Sequence, residues 1–194
     1  MQEKDLNLND ISPKFQGILS RLFKSDEQNY LSSALKFSLS KGGAKELGFV
    51  REEGVSHNPR PARVSQILIE DARCAEPSSV VAAMLATIDW SKSNVSEALK
   101  IFTTREVVIA AQANSICESP FPLDPKTKQA NLVAMSLWVD RVRHFHQTPD
   151  EYQEEHKLFV ITKNEHFINS ADSIAPLIKD RLTSWKNIYC RRAI

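Results

Sequence analysis

Glycine is scarce in this chain and unevenly spread: of its five glycines in 194 residues, three, Gly42, Gly43 and Gly48, fall in one short segment. Tight left-handed turns default to glycine, so a chain with so few is poorly equipped for the many hairpins of a β protein. That scarcity favours helices joined by longer connections. Hydrophobic residues make up 42% of the chain, enough for one substantial core at this length. No repeat with a period of about twenty to fifty residues is visible. Nor is there a low-complexity tract or an obvious linker. The expectation is a single helical domain over residues 1–194.

Start and stop signals divide the chain into helices. Ser25 with Gln28 reads as a capping box ahead of Tyr30, Leu31, Ala34, Leu35 and Phe37, and Gly42–Gly43 supplies the stop. Residues 47–61 contain Gly48, Gly54, Asn58, Pro59 and Pro61 and read as a loop, with Pro61 suited to the first turn of the next helix. Val64, Ile67, Leu68 and Ala72 then mark one helical face. Pro77 opens a helix in which Val80, Val81, Met84, Leu85 and Ile88 are apolar on a wide arc, the mark of a central helix, while Ala82, Ala83 and Ala86 let neighbours approach closely. Asn94 with Glu97 predicts a capping box for a short helix through Phe102. Thr104 starts another helix that runs to Cys117, and Pro120 and Pro122 break the chain.

Asp124–Pro125 reads as a cap followed by a first-turn proline. Leu132, Met135, Val139 and Val142 then recur at helical spacing toward Gln147. Thr148, Pro149 and Glu151 announce a helix ending near Ser170, and a last helix covers residues 173–189. With about eight helices and no persuasive strand, the fold class expected is an all-α helical bundle.

Charge and composition exclude several roles. Lys and Arg total 25 against 24 for Asp and Glu, a net charge of +1 that gives no bulk attraction to nucleic acid or anionic lipid. No apolar run approaches the roughly twenty residues needed to cross a bilayer. Residues 1–10 are polar and acidic where a secretory signal would be basic and then apolar. Cys74, Cys117 and Cys190 form neither an even framework nor a CxxC pair. A cytoplasmic chain without disulfides, membrane or nucleic-acid partner is therefore expected. A homodimer through the amphipathic C-terminal helices stays open at this point. Trp90, Trp138 and Trp185 read as core or interface anchors.

No Gly-rich phosphate loop, HExxH, GxSxG or clustered Cys/His ligand pattern occurs. Of five histidines, His57, His144, His146, His156 and His166, only His57 lies in a predicted loop beside the core helices. The run His57-Asn58-Pro59-Arg60-Pro61-Ala62-Arg63-Val64-Ser65-Gln66-Ile67-Leu68, followed by Val80-Val81-Ala82-Ala83-Met84-Leu85, resembles the opening of HD-domain phosphohydrolases, especially RelA/SpoT-type hydrolases of guanosine tetraphosphate. Leu137-Trp138-Val139-Asp140-Arg141-Val142 is similar to the element that carries that family's last metal ligand. The resemblance covers residues 30–146, with C-terminal helices over 148–192 beyond it.

The resemblance implies a metal held by a loop histidine, a His-Asp doublet and a later aspartate. His57 and Asp140 match, but Ala86 and Thr87 occupy the doublet positions. Asp89, one turn after Ala86, is the remaining carboxylate that could lean toward the same face. Alanine and a threonine hydroxyl cannot replace water around a divalent ion or activate hydroxide as imidazole and carboxylate ligands do. No cofactor is therefore expected; the alternative is a divalent Mn, Fe, Zn or Mg ion on His57, Asp140 and Asp89.

The same resemblance makes Arg51, Arg60, Arg63, Arg141 and His144 candidates for holding a nucleotide or another phosphorylated small molecule. Bland readings stand beside these. Asp140 and His144 are spaced for a simple side-chain pair on one helix face, and Arg141, Arg143 and His146 compensate the negative end of a helix dipole. Three functions are compatible with these residues: a divergent HD-domain protein without hydrolase activity that binds a phosphorylated ligand, an active metal-dependent phosphohydrolase, and a helical protein-interaction module.

Overall fold

Ser12 and Pro13 begin a helix that the sequence reading did not anticipate. The Ser12 hydroxyl accepts from the Phe15 N–H at 3.4 Å and Pro13 fills the first position, so the start carries both a cap and a preset φ. This helix, α1 (Pro13–Leu22), buries Phe15, Ile18 and Leu19. The computed structural model describes residues 11–43, 58–119, 123, 126–145, 154–172 and 174–192. Among the described residues there are nine α-helices and no strand, so the chain is all-α, with one helix more than expected.

Helix α2 (Ser25–Ser38) continues into a π-turn at Leu39–Gly43. Its start differs in detail from the expected Ser25/Gln28 box. Glu27 accepts from the Lys24 N–H at 2.8 Å, and Gln28 instead donates to the Phe23 carbonyl at 2.7 Å. The expected glycine stop is real: Gly42 has φ of 97°, which disfavours any side chain, and beside it the Lys41 carbonyl accepts from the Asp89 N–H at 2.9 Å.

The next two helices, α3 (Arg60–Glu70) and α4 (Pro77–Leu85), start where Pro61 and Pro77 predict. Every residue of α4 from Ser79 to Leu85 is buried, and α2, α3, α6 (Thr104–Glu118) and α7 (Lys128–Phe145) all pack against it. Ala82 and Ala83 are fully enclosed. Their short side chains let four neighbours close on one nine-residue helix.

Helix α5 (Lys92–Ile101) is capped by Ser91, whose hydroxyl accepts from the Asn94 N–H at 3.3 Å, so the expected Asn94/Glu97 box is shifted by three positions. Asn94 donates to the Asp89 carbonyl and Glu97 pairs with Lys41. Helix α6 opens on a complete capping box: Thr103 accepts from the Glu106 N–H, and Glu106 accepts from the Thr103 N–H at 2.9 Å. The buried Glu106 carboxylate also accepts from the Tyr30 hydroxyl at 2.6 Å, tying α6 to α2.

Helix α7 packs on α3, α4, α6, α8 (Glu154–Ala171) and α9 (Pro176–Arg192). Its Trp138 is fully enclosed, stacked on Phe167 of α8 with centroids 5.5 Å apart, and it donates to Asn164 Oδ1 at 3.3 Å. Asn164 passes the connection on to the Leu182 carbonyl in α9. Arg181 of α9 reaches the buried Asp71 beyond the end of α3, with Nε 2.7 Å from Oδ2. The expected caps at Asp124–Pro125 and Thr148–Glu151 lie outside the described residues. Cys74 and Cys117 are free thiols. Among the described residues no helix is long and apolar enough to cross a membrane.

Candidate functional site

Asp140 lies on α7 where that helix crosses the start of α3, and its residue is only 3% exposed. A buried carboxylate must be paired, and the partners come from the first turn of α3. Arg63 Nε donates to Oδ1 at 2.8 Å and Nη2 lies 3.4 Å from Oδ2, a fork matched to the carboxylate. The third nitrogen of Arg63, Nη1, donates to the Asn58 carbonyl at 3.1 Å. Asn58 is itself fixed, because its Oδ1 accepts from the Ser12 N–H at 2.7 Å and its Nδ2 donates to Gln66. One helix start therefore positions Arg63, and Arg63 positions Asp140.

Arg60 shares the face of Arg63, three residues earlier. Its Nε is 3.7 Å from Asp140 Oδ2, an ion pair too long to be a hydrogen bond. Its guanidinium makes no hydrogen bond to any described residue, although three-quarters of the side chain is covered. Burial pushes the Arg60 pKa below its usual range; Asp140 opposes the shift, and the nearby charges of Arg63 and Arg141 reinforce it. The first turn of α3 contains no acidic residue and its N-cap, Pro59, has no side-chain acceptor. Two guanidinium groups thus sit at the positive end of a helix dipole, where anions are the favoured company.

Arg141 extends the basic surface. It pairs through Nη1 with Glu118 Oε1 at 3.1 Å and lies over the Trp138 ring, 5.4 Å from its centroid. Beneath it Cys117 is buried, its thiol donating to the Ala134 carbonyl and pushed by burial up to about 12, so it is not a nucleophile at neutral pH. Lys163 lies near the same thiol, 2% exposed and 5.2 Å from the Phe167 centroid, with its pKa lowered by burial.

The structure thus brings Arg60, Arg63 and Asp140 together, with Arg141 close by. Arg51 and His57 lie outside the described residues. His144 belongs to α7, with its side chain outside the described set. Asp89 is exposed and its backbone joins the π-turn and Asn94. Ala86 and Thr87 are buried; the Thr87 hydroxyl turns back to the Met84 carbonyl at 2.7 Å, and Asn114 donates to the Ala86 carbonyl. Trp90 is half-buried, and its indole N–H has no hydrogen-bond partner among the described residues.

Among the described residues no group of three or more His, Cys, Asp or Glu is arranged to hold a metal ion. Among these residues the Asp140 carboxylate is engaged by the guanidiniums of Arg63 and Arg60. Sequence reasoning missed Asn58, Glu118 and Lys163 as parts of this neighbourhood; Asn58 stood in the quoted loop run, while no local spacing flagged Glu118 or Lys163. No family model matches the chain, and neither a curated protein nor a solved structure is significantly similar to it.

Proposed function

We propose that this chain is a divergent HD-domain-like protein without metal-dependent hydrolase activity, which binds a nucleotide or another phosphorylated small molecule in a regulatory role. The observation that carries this reading is the arginine pair on Asp140. Where a metallohydrolase needs a carboxylate available to a cation, this carboxylate serves guanidinium groups instead, and the surrounding charge favours an anion. The test is metal analysis of the purified protein, then incubation with guanosine tetraphosphate and a generic phosphodiester under Mn²⁺, and a thermal-shift series with guanine nucleotides. The expected result is no stoichiometric metal, no product, and a rise in melting midpoint with at least one nucleotide, because only preferential binding to the folded state raises it. Stoichiometric metal together with product overturns the reading in favour of an active phosphohydrolase.

A second reading, a helical interaction module or homodimer, draws on Leu158 of α8 and Leu177 of α9, which are 66% and 38% exposed. It predicts a dimer or larger species in sedimentation and no shift with any nucleotide.

A further inference from the structure

We infer that Arg60 is the residue that receives the phosphoryl group of the ligand, with Arg141 as the second contact; this rests on the phosphate-binding reading above. The two first-turn arginines of α3 differ in what they have left to give. All three nitrogens of Arg63 are engaged, by both oxygens of Asp140 and by the Asn58 carbonyl. Arg60 touches the same carboxylate only across 3.7 Å and keeps its full fork of N–H donors.

A guanidinium that is largely covered, unbonded and beside two like charges is held there at a cost that an anion removes. Asp140 cannot supply the whole compensation, because one carboxylate serves two arginines. Arg141 spends one terminal nitrogen on Glu118 and retains the rest, and Glu118 lies at the solvent edge with its side chain 65% exposed. Arg141 directly follows Asp140, the residue that Arg60 faces across 3.7 Å. Two planar forks with spare donors suit the divergent oxygens of a phosphate or pyrophosphate better than a single carboxylate. The same oxygens are found on a nucleotide and on the free inorganic ion.

The experiment is calorimetric titration of the full chain with inorganic pyrophosphate, guanosine diphosphate and guanosine. Arg60→Gln is expected to weaken pyrophosphate and the nucleotide about ten- to a hundredfold, the size of a lost charge-assisted contact, with Arg60→Lys intermediate. Glu118→Gln, an exposed change that frees Arg141, is expected to tighten both several-fold while the melting midpoint stays put. Binding of both probes with guanosine silent supports a nucleotide's phosphate as the source; pyrophosphate alone supports the free ion. Should Arg60→Gln and Arg60→Lys, folded by circular dichroism, bind both probes like the parent chain, the assignment of Arg60 is overturned while the phosphate-binding reading stands. If the parent chain binds neither probe, both are overturned.

Discussion

Replacing Asp140 with asparagine removes one charge from the crossing of α3 and α7 and leaves the shape almost unchanged. The carboxylate side chain is 4% exposed and its partner Arg63 14%, so neither has ready access to water. Removing one member of a buried pair costs about 3–5 kcal/mol, because the other charge is left without compensation. Two features move the value toward the lower end. The asparagine Oδ1 still accepts from Arg63 Nε, and Arg60, with a quarter of its side chain exposed, can turn to solvent.

A loss of about 3 kcal/mol is therefore expected, a large share of the roughly 5–15 kcal/mol that separates folded from unfolded domains. Urea unfolding followed by circular dichroism at neutral pH measures it, and the melting midpoint should fall by about 6–12 °C at this chain length. Arg63→Gln alone should be comparably costly. The double variant should cost well below the sum of the two, a coupling of about 2 kcal/mol for groups in direct contact. A loss below about 1 kcal/mol, or a gain in stability, would refute the assignment of Asp140 as an anchor for arginine.

Two further predictions concern the core and its polar tie. Ala83→Leu forces three extra carbons into α4 where the alanine is fully enclosed, and should cost about 1–3 kcal/mol in the same urea assay; a neutral result would mean that the α4 surroundings are loosely packed. Tyr30 is raised to about 12 by burial, by its hydrogen bond to Glu106 and by that residue's charge. A native pKa above the unfolded value of 10.0 means that the contribution of Tyr30 is complete below pH 10 and disappears as pH rises toward 12. Ultraviolet titration of the phenolate, with Tyr30→Phe as the control, checks this, and a folded-state midpoint near 10 contradicts it.

The helices were legible wherever a local signal is sufficient. Pro61, Pro77 and the glycine pair after α2 each act within a turn or two of themselves. The start of α1 carries the same kind of local signal, since Ser12-Pro13 followed by Phe15, Ile18 and Leu19 is a cap with an amphipathic stripe. The caps of α2 and α5 were misplaced because several polar residues compete at each start, and geometry selects one. For the candidate site, the family resemblance of Leu137–Val142 singled out Asp140, but its partner Arg63 stands 77 residues away. Nothing in local spacing says whether a carboxylate faces a metal, an arginine or solvent, and that choice is made only when α3 lies across α7.

The tie between Asp71 and Arg181 spans 110 positions of the chain, and α9 also carries the enclosed Ile178, Leu182 and Trp185. Closing so long a loop is entropically slow, and the groove that α9 covers stays open until that helix docks. During synthesis at about 5–20 residues per second, the earlier helices therefore wait several seconds with apolar surface uncovered. Docking of α9 governs how long that groove is vulnerable to chaperone capture or aggregation.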